Sequence, residues 1–154
     1  MNTKIEKITG FRLFLLKQIE ELTTQQLNTV PPGYNNNIIW NLGHLICVQQ
    51  NLCYARANLP ITVDDKYFSP YMPGTKPEKF IDDQEIRTIK DLLITSLDPL
   101  RADLDKNIFV NYTASVVIPK VYGFEVNNID MALEYLLYHE GLHGGYVGSL
   151  KHLL

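Results

Sequence analysis

The sequence lacks an excess of basic residues and any long apolar run. It holds 14 Lys and Arg against 17 Asp and Glu, a formal net charge of −3, with no run of five basic residues. Such a chain has too little positive charge to neutralise many phosphates, so we expect no nucleic-acid binding. No segment reaches the roughly 18 consecutive apolar residues that a membrane span needs, so we expect no membrane insertion.

Cysteine is also scarce, and a secretory leader is not evident. Cys47 and Cys53 are the only cysteines, and their spacing places both on one short piece of helix, which argues against a disulfide framework. Residues 1–6 pass directly into charged, helix-patterned sequence without an apolar core or a cleavage site. We therefore expect a cytoplasmic location.

What the sequence does contain is helical periodicity. Its 154 residues, 45% hydrophobic and 20% charged, suit one globular domain over residues 1–154. Apolar residues recur at helical spacing in four segments, approximately residues 3–23, 37–57, 82–104 and 128–154. The pattern predicts an all-α four-helix bundle with long loops between helices 2 and 3 and between helices 3 and 4.

Proline and glycine mark where these helices should end or bend. Residues 30–33, Val-Pro-Pro-Gly, cannot continue a helix and predict a tight link between helices 1 and 2. Pro99 predicts a kink or break in helix 3 with its apolar register kept. Residues 58–81 are predicted to be a long irregular connection. In residues 108–126, short β-branched runs around Pro119 and Gly123 favour a small hairpin or extended loop.

Two of the four histidines occupy the inward face of helix 4. If residues 128–154 are helical, His139 and His143 lie one turn apart on the same stripe as Leu136 and Val147. Two such imidazoles can present nitrogens to one metal ion. Satisfied core histidines are the alternative. His152 is expected to be exposed to solvent.

A third histidine lies on helix 2. His44 shares its side of the helix with amides and hydrophobes, a mixture that suits a site more than a plain core. Asn41 could hold the His44 ring in one tautomer, and Gly43 would allow another backbone or a ligand to approach closely. Three histidines leave open positions on an ion, as catalytic sites require. The donors imply a divalent first-row metal, with zinc and nickel both acceptable, while Cys47 is more simply a core thiol.

Residues 139–143, His-Glu-Gly-Leu-His, also match the motif of zinc peptidases, in which the glutamate is the general base. Such enzymes carry a strand-rich lobe before the motif and a third ligand after it, whereas eleven residues follow His143. The extended form of the motif needs Gly and His where this chain has Tyr146 and Ser149. The peptidase interpretation is therefore disfavoured.

Residues 37–44, Asn-Ile-Ile-Trp-Asn-Leu-Gly-His, and residues 139–146, His-Glu-Gly-Leu-His-Gly-Gly-Tyr, resemble the DinB-like family of small four-helix-bundle metalloproteins. The resemblance extends over nearly the whole chain. It implies a nickel or zinc site formed by His44, His139 and His143, an atypical bundle order in which helices 1 and 2 are antiparallel, and frequent homodimers. The family often has Gln at the position of Tyr146.

Some members of this family are S-transferases or isomerases in which the metal lowers the pKa of a low-molecular-weight thiol. The resemblance thus implies a metal-dependent enzyme for a small-molecule substrate, with an open coordination position that activates thiol or water. Glu140, at the edge of the site face, is a candidate general base, and a rim or surface carboxylate is the alternative. Tyr146 suits either the core or a hydroxyl directed at the site. The rival hypothesis is a non-catalytic metal-binding or stress-associated homodimeric protein.

Overall fold

The computed structural model describes residues 3–154, which form seven α-helices and no β-strand. In chain order the helices are α1 (Thr3–Gln18), α2 (Thr24–Asn28), α3 (Ile38–Cys53), α4 (Asp83–Thr95), α5 (Leu97–Asp105), α6 (Ile118–Tyr122) and α7 (Ile129–His152). Three single 3₁₀ turns, Ala55–Ala57, Asp65–Tyr67 and Ser69–Tyr71, lie in the connection from α3 to α4. The all-α bundle predicted from the sequence is confirmed.

The link between the first two long helices is not the tight turn that was predicted. α1 ends at Gln18, and the separate helix α2 begins after Thr23. The Thr23 hydroxyl accepts a bond from the Gln26 backbone N–H, and the Gln26 side chain accepts one from the Thr23 N–H. The first helix was predicted to extend to residue 23, whereas α1 ends at Gln18. The capping box at Thr23 then starts the separate helix α2.

Helix α3 runs through the middle of the protein. The Asn37 side chain caps it by accepting a hydrogen bond of 2.9 Å from the backbone N–H of Trp40. Every residue of α3 except Asn51 is buried. A helix buried on nearly all sides must be surrounded by other elements, so α3 is the axis of the bundle.

The third predicted helix is broken as expected. α4 ends at Thr95 and α5 begins at Leu97, with Pro99 in the first turn of α5, where a backbone N–H would have no helical partner anyway. Leu93, Leu97 and Leu100 are all buried, so the apolar register continues through the break.

Of the two structures predicted for residues 108–126, the hairpin is wrong, and the extended loop holds except at one short helix. The segment contains the short helix α6, which has Pro119 near its start and is followed by Gly123 with φ of +78°. Proline favours the first turn of a helix, and glycine readily adopts the left-handed conformation that closes one. One turn is too short to show helical periodicity, so the β-branched residues dominated the prediction.

Helix α7 packs most closely against α3 and next against α1, while α4 lies against α3. Its approach to α1 depends on Gly144, because a Cβ atom there would overlap the Phe11 ring. Within residues 3–154, no helix combines the length and the hydropathy required to cross a bilayer. The α3 and α7 contact is the one that carries the candidate site.

Candidate metal centre

The structure brings together the three histidines that the sequence singled out. His44 comes from α3, and His139 and His143 come from α7. The ring centroid of His44 lies 5.1 Å from that of His139 and 4.6 Å from that of His143, and the centroids of the two α7 rings are 4.4 Å apart. All three side chains are buried, and one nitrogen from each lies within 4.8 Å of the others.

The rotation of α7 is what directs its two histidines inward. The Asn128 side chain caps the helix by accepting a 2.9 Å bond from the Met131 backbone N–H. Apolar residues on the stripe shared with the histidines are all buried, namely Ala132, Leu136, Val147 and Leu150. Burying that stripe against α3 and α1 forces both imidazoles into the same interface.

The His44 ring is held by a residue far away in the chain. Its Nδ1 lies 2.7 Å from the backbone carbonyl of Tyr71, and because a carbonyl only accepts, Nδ1 is the protonated donor. The Trp40 ring stacks on the other side at 4.7 Å. A Cβ at position 43 would overlap the Tyr71 ring, so Gly43 does permit a close approach, but by an aromatic side chain and not by the backbone or ligand that was predicted. The His44 Nε2 is thereby left free to bind a metal.

Asn41 orients His143 rather than His44, so that prediction is wrong. The Asn41 amide nitrogen donates to the Asn36 side chain at 3.0 Å and to the Asn37 carbonyl at 2.8 Å. Its oxygen consequently faces His143, whose Nδ1 donates to it at 2.8 Å. The helical spacing of α3 placed Asn41 on the side that faces the site. It could not identify which histidine of α7 would contact Asn41.

His139 is the one histidine of the three whose Nδ1 finds no hydrogen-bond partner among residues 3–154, although that atom is fully buried. The Tyr135 ring stacks on its imidazole at 5.7 Å. A buried polar atom without a partner costs free energy unless something else binds it. A metal ion bound among the three rings would be coordinated by the His139 imidazole. A buried nitrogen without a hydrogen-bond partner therefore fits a metal centre.

The protonation states also fit. Burial, reinforced by the positive charge that His143, His44 and Arg12 can carry, lowers the pKa of His139 to about 2. Burial and His44 lower the pKa of His143 to about 3. Burial lowers the pKa of His44 as well, although its bond to Tyr71 opposes the shift. All three imidazoles are neutral near pH 7, and neutral imidazole is the form that binds metals.

Glu140 is buried on α7 directly after His139 and not at the rim or the surface, so the rim or surface alternative is wrong. It is 2% exposed, and its Oε1 accepts hydrogen bonds from Arg12 Nε at 2.9 Å and Arg12 Nη2 at 2.6 Å. Burial raises the pKa of Glu140, and the guanidinium partly offsets this. Its Oε2 has no hydrogen-bond partner among residues 3–154. Whether Glu140 acts as a base stays a prediction.

Arg12 is the important residue that the sequence reasoning missed. It is completely buried, and it also donates to the backbone carbonyls of Leu45 and Leu93, at 3.2 and 2.8 Å. A signal was present, because Arg12 occupies a place on the stripe of α1 otherwise formed by Ile5, Ile8 and Leu15. A charged residue in a buried stripe predicts a buried partner of opposite charge.

The remaining candidates lie at the edges of the site. Tyr146 is 42% exposed and its ring is 5.7 Å from that of His143, so it belongs to the rim and not to the core. Cys47 is buried with its sulfur 3.4 Å from that of Met72, and burial raises its pKa to about 12. It is a core thiol outside the histidine cluster. His152 is exposed, as predicted.

Comparison with known proteins adds one finding. Among protein families, the DinB superfamily matches residues 14–147 of the chain, which include all three histidines. No curated protein and no solved structure matches the chain.

Proposed function

The chain belongs to the DinB superfamily, and from this membership and the converging histidines we propose that it is a metal-dependent enzyme. His44, His139 and His143 would hold one divalent ion, nickel or zinc. The substrates would be a small acceptor molecule and either a low-molecular-weight thiol or water, which makes the reaction an S-transfer or a hydrolysis. The single observation that carries the proposal is the meeting of three buried imidazoles, one nitrogen of each within 4.8 Å of the others.

The donor set supports this kind of chemistry. Three nitrogens from two helices leave open positions on an ion, and a bound divalent ion lowers the pKa of a thiol or of water so that the nucleophile forms near pH 7. A structural site would use four protein ligands. Within residues 3–154, only these three residues form a group able to hold a metal.

Residues around the cluster would keep the donors in position. The Tyr71 carbonyl and the Asn41 amide fix the tautomers of two histidines. The pair between Arg12 and Glu140 ties α1 to α7 immediately beside His139. This arrangement favours a positioning role for Glu140 over a general base, because one carboxylate oxygen already accepts two hydrogen bonds and the side chain is closed to solvent.

A panel of electrophiles incubated with several cellular thiols, with and without nickel or zinc, tests the proposal. We expect thiol consumption that needs the metal and that falls at least about 100-fold in His44→Ala, since loss of one of three ligands removes the ion. A His152→Ala variant is the matched control, because this histidine is exposed and outside the site. Equal activity in His44→Ala and wild type would refute the catalytic proposal.

A second candidate is a non-catalytic metal-binding protein that acts through a homodimer surface. The observation in its favour is the apolar outer face of α7, where Tyr138 is 73% exposed and Leu142 and Tyr146 are also exposed. Such patches often mark interaction surfaces. Metal binding without turnover across the panel, together with dimerisation that Tyr138→Ala abolishes, would favour this candidate over the enzyme.

A further inference from the structure

A pocket of about 560 Å³ lies directly beside the histidine cluster. It is formed by residues from the end of α6, the following loop and the outer side of α7, and His139 is part of its lining. The volume is in the range that small-molecule sites occupy. Because His139 also belongs to the cluster, a molecule in this pocket would lie next to the proposed metal.

Four of the nine residues that line the pocket are aromatic, and their rings form a continuous series. The rings of Tyr122 and Tyr135 meet edge to face at 5.8 Å, and Phe124 lies 6.0 Å from Tyr122 and 6.5 Å from Tyr138. Tyr135 then stacks on His139 at 5.7 Å. The wall thus extends from the solvent-exposed Tyr138 to the imidazole whose buried Nδ1 has no hydrogen-bond partner among residues 3–154.

The charges that line this pocket are all negative. Glu125 and Glu134 contribute to the lining, and no lysine or arginine in the described part of the chain does. Lys4 partly neutralises Glu134 at a distance of 3.2 Å. Glu125 forms no ion pair within residues 3–154, so its charge is available to a ligand. Aromatic faces attract cations, and a carboxylate beside them strengthens that attraction and repels anions.

We propose that this pocket receives a small organic cation, an amine or a quaternary ammonium group, as the acceptor substrate of the metal centre. The inference rests on the proposed function, since it assigns the substrate class to that site. The cation would lie against the aromatic wall with Glu125 beside it, and the rest of the molecule would point toward His139. The negative lining also offsets the repulsion between such a cation and the metal.

Binding of choline and of its uncharged isostere 3,3-dimethylbutan-1-ol, followed by ligand-observed NMR, tests the charge preference without any metal. We expect choline to bind about five- to tenfold more tightly, since one exposed aromatic ring attracts a cation by about two- to fivefold in affinity and Glu125 adds to this attraction. Phe124→Ala and Glu125→Gln should each weaken choline binding about two- to fivefold. Glu20→Gln, an equal charge change at an exposed site outside the pocket, should leave it unchanged. Equal affinity for the two ligands, or no effect of Phe124→Ala, overturns the proposal.

The visible absorption spectrum of the cobalt-substituted protein tests the connection to the metal. Saturating choline should change this spectrum, because the pocket and the cluster share His139, and 3,3-dimethylbutan-1-ol at the same concentration should not. Choline binding with no spectral change overturns the assignment as a substrate pocket. Failure to take up cobalt would instead refute the proposed function, whereas the metal-free titration still decides whether the pocket prefers cations. Dimerisation that excludes choline would show that the wall is a subunit contact and overturn the proposal.

Discussion

Replacing Arg12 by Met should strongly destabilise the protein while keeping the helical spacing of α1. The guanidinium makes five hydrogen bonds, two to Glu140, two to the carbonyls of Leu45 and Leu93, and one to Gln49. Methionine would leave a carboxylate that is 2% exposed without its counter-charge. Breaking a buried pair in this way costs about 3–5 kcal/mol, a large share of the roughly 5–15 kcal/mol by which domains are stable.

The free energy of unfolding, from urea titrations followed by circular dichroism, measures this effect. Arg101→Met is the matched control, because Arg101 pairs with Glu6 and Asp98 near the surface, where such pairs contribute at most about 1 kcal/mol. The double variant Arg12→Met/Glu140→Met removes both charges, so it should be more stable than Arg12→Met by about 2 kcal/mol or more. If Arg12→Met lowers the free energy of unfolding no more than Arg101→Met does, the reasoning about the buried pair is refuted. It is also refuted if the double variant is the least stable of the proteins compared.

Three further predictions concern the histidines and their supports. Gly43→Ala should weaken metal binding at least about tenfold, because the new Cβ would displace Tyr71, whose carbonyl holds the His44 ring. Gly145→Ala, where a Cβ meets open space, should leave metal affinity unchanged. Equal effects of the two substitutions in competition titrations would contradict this prediction. Asn41→Ala should lower metal affinity about 10- to 100-fold in calorimetry, and an unchanged affinity would contradict its role in orienting His143. The folded-state pKa values of His139 and His143 lie below their unfolded value of about 6.5, so unfolded chains bind more protons than folded ones below that pH. The metal-free protein should therefore lose about 2–3 kcal/mol of its free energy of unfolding between pH 6 and pH 5. If this free energy falls as steeply with pH in His139→Leu as in wild type, the reasoning is refuted.

The long helices and the three histidines were predictable because they follow from local spacing. A buried stripe repeats every three to four residues, and His139 and His143 fall on that stripe whatever lies opposite. His44 was recognisable from the amides on its side of α3. Pro99 was also informative, since its effect on a helix depends only on its own ring and on the preceding turn.

The parts that sequence could not supply depend on residues distant in the chain. Arg12 and Glu140 are 128 residues apart, and only the packing of α1 on α7 brings them together. The same holds for Tyr71, which reaches His44 from the connection after α3. The short helices α2 and α6 were missed for a different reason, because each has five residues and is determined by its caps rather than by periodicity.

Metal content measured by mass spectrometry, on protein purified without a histidine tag, tests the central claim most directly. Wild type and His152→Ala should each carry about one equivalent of nickel or zinc per chain, and His139→Ala should carry almost none, because His139 lies in the cluster and His152 does not. If wild type contains no metal and takes up none on reconstitution, or if His139→Ala retains it fully, the three histidines are not a metal centre.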